Sequence, residues 1–130
     1  MAKALDKSLL PRKLRELTIL TVGATWKSQF EWYVHARTAK KEGLSDDVIE
    51  AIRTERLPAF KDDAQRIVYE YSMELQKNHQ VSDETYNAAR NLLGSKALVE
   101  LTVLIGHYTN VSMTLNAHEG PLPDGVPPQF

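Results

Sequence analysis

Arg15-Glu16-Leu17-Thr18-Ile19-Leu20-Thr21-Val22-Gly23-Ala24-Thr25-Trp26-Lys27-Ser28-Gln29-Phe30-Glu31-Trp32-Tyr33-Val34-His35-Ala36-Arg37 is the stretch that decides the fold. It reads as the end of one apolar helix, a tight turn and a second helix. Ile19, Leu20 and Gly23 follow Glu16 at i+3, i+4 and i+7, so they share its helical face and a carboxylate is carried into apolar surroundings. On the second helix Glu31 and His35 stand four apart, one above the other. Ser28 lies one turn earlier on that face. Two carboxylates and an imidazole thus come from adjacent helices, with Trp26, Phe30, Trp32 and Tyr33 around them. Burial raises a carboxyl pKa and a neighbouring charge pushes either way, which is how acid–base chemistry is set up.

Outward from this hairpin the chain reads as helix throughout. Pro11 suits a first helical position, and the helix it opens, to about Thr25, is apolar on most sides after Glu16. Gly23 is placed to let another helix approach. The second helix runs from about Ser28 to Glu42 and stops at Gly43, with Lys40 and Lys41 at its C-terminal dipole. A short third helix begins at Ser45, with Leu44 and Ile49 as a hydrophobic staple, and ends before Pro58. The fourth spans about Asp62 to Asn78. The fifth begins at Ser82 and closes at Gly94. The sixth, about Ser95 to Asn116, is the longest and most apolar, as befits a helix in the core or in an oligomer interface. No strand and no internal repeat is evident.

The expectation is therefore an all-α, six-helix single domain over residues 1–130: a lead-in at 1–9, a helical core at 10–116 and an extended Pro-rich tail at 117–130. Four of the six prolines fall in that tail, which cannot be helix. Leu122, Val126 and Phe130 are spread along it as for an arm lying on the same or a neighbouring subunit; a disordered end is the alternative.

Composition narrows the function classes. A net charge of −1 supplies no basic field for nucleic acid or for a membrane surface. There are no cysteines, so disulfides, thiolate nucleophiles and zinc–thiolate sites are excluded. The apolar run from Ala97 to Leu115 is broken by Glu100, His107 and Asn110, which argues against a membrane span. A cytoplasmic location is expected.

The hairpin residues have a plainer reading as well. Ser28-x-x-Glu31 is a capping box in form, Glu31 and His35 match an i,i+4 surface pair, and Glu16 has Arg12 and Arg15 within reach. Spacing alone leaves these readings open.

Leu10-Pro11-Arg12-Lys13-Leu14-Arg15-Glu16-Leu17, Phe30-Glu31-Trp32-Tyr33-Val34-His35 and Gly43-Leu44-Ser45-Asp46 together resemble the carboxymuconolactone decarboxylase family, which includes the alkylhydroperoxidase D-like proteins. Peroxidase-like members carry a Glu, then Cys-x-x-Cys, then a His four residues on. This chain keeps the outer members as Glu16 and His35 and has Ser28 and Glu31 where the thiols would stand. Decarboxylase-like members have a Glu-x-x-x-His that matches Glu31 and His35. The resemblance implies a cofactor-free lyase of aromatic catabolism, assembled as a homo-oligomer, a trimer or hexamer, with pockets near subunit contacts. Its small-molecule substrate would be a lactone or carboxylate.

On that resemblance His35 is the expected general acid, Glu16 its orienting partner, and Glu31 a polarising or relaying group. Ser28, Trp26, Trp32 and His107 are the expected substrate contacts. His107 lies mid-helix beside Tyr108, where a histidine is commonly a core residue; His79 and His118 fall at helix ends. No metal is expected, since no His-Glu-x-x-His spacing is present, and no glycine-rich phosphate loop or Gly-x-Ser-x-Gly elbow occurs. Relatives with a Pro-Leu-Pro-Asp-Gly tail often have extra helices before the Leu-Pro-Arg motif. About ten residues precede it here, so either a short form or a pocket wall from a partner chain is expected. The alternatives are an alkylhydroperoxidase D-like relative that lacks the thiols, the runner-up by resemblance, in which neither Ser28 nor Glu31 could cycle through a disulfide, and a binding or scaffold protein that keeps the family shape without catalysis.

Overall fold

The computed structural model describes residues 9–130; the lead-in expected at 1–9 lies, except for Leu9, outside the described residues. The described residues form five helices and no strand: α1 (Arg12–Trp26), α2 (Gln29–Lys41), α3 (Asp46–Arg53), α4 (Asp63–Asn78) and α5 (Asp83–Ala117). The break expected at Gly94 is present: the glycine has non-helical angles (φ 81°, ψ 163°), so α5 is two helical stretches that meet at a kink there. The fold is all-α, as the periodicity predicts.

α1 is the centre of the molecule. Leu14 and every residue from Glu16 to Ala24 are buried, because α2, α4 and α5 pack around it and α3 lies against it as well. A helix buried all round must satisfy its own polar side chains. Thr18 donates to the Leu14 carbonyl at 2.9 Å and Thr21 to the Thr18 carbonyl at 2.7 Å, so neither hydroxyl is stranded. Lys27, in the left-handed conformation (φ 51°), ends α1 and starts the turn into α2.

Local chemistry sets the other boundaries. Ser45, Asp62 and Ser82 accept from the backbone N–H of Val48, Gln65 and Thr85 at 3.3, 2.8 and 3.2 Å, each capping the helix it precedes. Gly43 follows α2 at φ 95°, a conformation that an L side chain would strain. Ser28 behaves differently. It precedes α2 with extended backbone angles but makes no side-chain capping bond, so the Ser28–Glu31 capping box does not form.

The tail returns to its own chain. Gln29 Oε1 accepts from the N–H of Gln129 at 2.8 Å and of Phe130 at 3.3 Å, while Nε2 donates to the Phe130 carbonyl at 2.7 Å. Arg53 donates to the Gln129 carbonyl at 2.8 Å. The Phe130 ring meets Trp32 edge-on, with centroids 5.5 Å apart. The arm is thus pinned to the first turn of α2, just beside the candidate site.

Candidate functional site

α2 is antiparallel to α1 across a two-residue turn, which brings the middle of α2 back to the first turns of α1. The result is a contact between His35 Nδ1 and Glu16 Oε2 at 2.7 Å. The two side chains are 17% and 11% exposed, so the pair is largely shielded yet opens to the surface. Of the alternatives for Glu16, neither arginine takes it: Arg12 instead lies 3.8 Å from Glu42. With Nδ1 held by the carboxylate, Nε2 is the ring nitrogen left to face a substrate.

One turn earlier on the same face, Glu31 is 3% exposed. Its Oε2 accepts from the Ser112 hydroxyl of α5, and its Oε1 has no partner. Burial pushes the carboxyl up to about 7; the Ser112 hydrogen bond and the nearby His35 charge oppose that rise. The i,i+4 surface-pair reading of Glu31 and His35 therefore does not hold, because Glu31 is inside. α1 meets Glu31 with Gly23, where an added Cβ would stand 3.9 Å from Oε2 and 3.7 Å from the Trp32 ring. The glycine expected to admit another helix does so beside the acid.

α5 supplies two residues that sequence reasoning missed. Ser112 touches Glu31, and Tyr108, one turn earlier, meets the His35 ring edge-on at 5.1 Å. A step of four along α5 answers a step of four back along α2, the register of two antiparallel helices. The signal in the sequence was the i,i+4 spacing of Tyr108 and Ser112, which puts both on one face of the helix, but His107, Thr109 and Asn110 around them make it a weak one. His107 stacks edge-on against Tyr108 at 5.0 Å, on whose ring His35 also rests.

The remaining expected contacts are dispersed. Ser28 is fully buried one turn before Glu31, its hydroxyl without a partner. Trp32 is 3% exposed, wedged between Gly23 and Phe130, and belongs to the core. Trp26 lines a different hollow of about 280 Å³ with Leu75, Gln76, His79, Ile105 and Thr109. A hollow of about 630 Å³ runs along α2 past Tyr33, Val34, Arg37 and Lys41; Glu16, Glu31 and His35 do not line it. Among the described residues, no group of three or more His, Cys, Asp or Glu is placed to hold a metal ion. Nor is any described helix long and apolar enough to cross a membrane.

The arrangement can hold an imidazolium against one carboxylate and keep a second, proton-bearing carboxyl a turn away. No curated protein and no solved structure matches the chain. A model of the carboxymuconolactone decarboxylase family matches residues 1–70, the half that contains Glu16, Ser28, Glu31 and His35. That match covers 70 of 130 residues, and the chain belongs to the carboxymuconolactone decarboxylase family.

Proposed function

We propose that the chain is a cofactor-free acid–base lyase that removes carbon dioxide from a small lactone carboxylate, working in the cytoplasm. The observation that carries this reading is the 2.7 Å contact between His35 Nδ1 and Glu16. Decarboxylation breaks the bond between the ring carbon and the carboxylate, carbon dioxide leaves, and the electron pair stays as a dienolate conjugated to the lactone carbonyl. That anion needs a proton at carbon. The His35 imidazolium delivers it from Nε2, Glu16 stabilises the charged ring, and solvent restores the proton. Glu31 supplies a second carboxyl whose charge changes near neutral pH. Isomerisation or lactone opening would use the same groups.

Because the hollow of about 630 Å³ along α2 bypasses His35, the substrate chamber is read as closed by a neighbouring copy in a homo-oligomer, a trimer or hexamer. The outer face of α5 supports this. Val99, Val103, Gly106, Asn110, Met113 and Ala117 alternate at spacings of four and three, and all are exposed. Between Lys96 and Glu119 the sequence holds one charged residue, Glu100. A face meant for water carries more charge, as α4 does with Asp63, Arg66, Glu70 and Lys77.

The test is turnover of a carboxymuconolactone by wild type and His35→Gln. A loss of about 10²-fold or more in kcat is expected for a removed general acid. Equal rates would end the assignment. An imidazole titration of His35, followed by NMR and unchanged by Glu16→Gln, would favour the scaffold reading instead.

A further inference from the structure

Glu31 is the one carboxyl of the site that the proton transfer just described leaves without a defined task. Three elements surround it. α1 presents Gly23, with backbone alone. α2 presents His35 one turn on and the Ser28 hydroxyl one turn back. α5 presents the Ser112 hydroxyl, with Tyr108 a turn earlier on the His35 ring. Of the titratable groups, His35 is the one whose charge acts on Glu31; Glu16 and Tyr108 contact His35 in turn. Glu31 and Ser112 are both buried and stand 81 residues apart in the sequence, and their hydrogen bond leaves Glu31 with one satisfied and one unsatisfied oxygen.

We propose that Ser112 is a positioning residue of the acid–base site: by holding Glu31 Oε2 from α5, it decides whether the second carboxyl meets His35 as a neutral acid or as an anion. The inference rests on the acid–base reading of Glu16 and His35. While Glu31 keeps its proton, the imidazolium has the Glu16 carboxylate as its contacting counter-charge. Once Glu31 ionises, a second negative charge stabilises the imidazolium and makes it a weaker acid toward carbon. A hydroxyl that donates to the carboxylate favours the ionised form. Ser112 thereby brings this change down into the neutral range, against the burial that would carry it higher.

The test follows the side-chain carboxyl carbon of Glu31 and the ring of His35 by NMR across pH in the full chain, with Glu31→Gln to assign the signal. In wild type Glu31 should titrate near neutral pH, and the His35 ring should report the same step. Ser112→Ala should move both upward by roughly one pH unit, the worth of a hydrogen bond to a charged group. Ser112→Thr, which keeps the hydroxyl, should leave them close to wild type. A Glu31 step in the ordinary carboxylate range, or a Ser112→Ala titration identical to wild type, overturns the proposal. Should Ser112→Ala prove unfolded by circular dichroism, Ser112→Cys takes its place; its weaker S–H donor should give a smaller upward move, and no move overturns the proposal equally. No substrate is needed, so the titration can fail while His35→Gln still abolishes turnover, and the reverse.

Discussion

His35 Nδ1 lies 2.7 Å from Oε2 of Glu16, a residue 19 positions earlier on the neighbouring helix. The contact fixes both the ring's orientation and which nitrogen is presented outward. Glu16→Gln keeps the shape and a hydrogen bond but removes the charge that holds the imidazolium. Its kcat should fall by about 10²-fold, with KM changing little, because the lost interaction is stronger in the charged state of the ring. A parallel rise in KM with kcat unchanged would mean that Glu16 binds substrate and does not serve His35.

Glu31 makes stability depend on pH in a direction opposite to that of most acids. Its carboxyl is raised from the ordinary value of 4.5 to about 7 in the folded chain. Between those values the folded chain binds more protons than the unfolded one, so each step up in pH favours unfolding. The stability lost across that window is on the order of 3 kcal/mol, and it stays lost above pH 7. Glu31→Gln cannot ionise. Its stability relative to wild type should therefore rise from pH 5 to pH 8, read as the difference in urea midpoints at the two pH values. A difference that is flat with pH would show that Glu31 ionises freely where it sits.

The sequence makes one half of this site legible and hides the other. Glu16 and His35 stand on two consecutive helices joined by a short turn, so spacing puts them within reach of each other, and the family resemblance selects that pairing over Arg12 or Arg15. Ser45, Ser82 and Gly43 mark helix ends because capping is a matter of a few neighbouring residues. Ser112 and Tyr108 stand about seventy to eighty residues away from their partners, and the register of α5 on α2 is set by packing that no local pattern encodes. Trp32 misleads for a related reason. An aromatic beside a catalytic-looking acid resembles a pocket wall, but alternation round the helix turns it inward onto Gly23 and Phe130. The kink at Gly94 was visible as a break, because a glycine between two helical patterns is free to take the non-helical angles found there.

The arm at residues 129–130 braces α2 beside Glu31 through Gln29 and Trp32. Phe130→Ala removes an aromatic pair, expected to cost about 1 kcal/mol, and uncovers Trp32. In a Trp26→Phe background, where Trp32 is the only indole, the emission should shift to the red while helicity is kept. The Glu31 titration should then move toward the ordinary carboxylate range as water reaches the first turn of α2. An unshifted emission would show that Phe130 contributes nothing to the shielding of this side of the site.

The outward stripe of α5 offers the sharpest check on the assembly. Gly106 has open space above it, with nothing within 4 Å of where a Cβ would stand, and Val99 and Met113 lie seven residues to either side. A second copy crossing antiparallel at Gly106 would set Val99 against Met113 and bring the two backbones close, as the two-fold contact of a hexamer built from two trimers requires. Val103→Lys places a charge in that seam, and burying it without a partner opposes association. Sedimentation velocity should show the wild-type oligomer dissociating at concentrations at least about a hundredfold higher in the variant, a change of roughly 3 kcal/mol. Asp63→Lys, on the charged outer side of α4, should leave assembly intact. Activity should fall with dissociation if a neighbouring copy closes the chamber over His35, so the specific activity of Val103→Lys should rise with its concentration. A wild-type chain that sediments as a monomer with full activity would remove the partner from the site altogether.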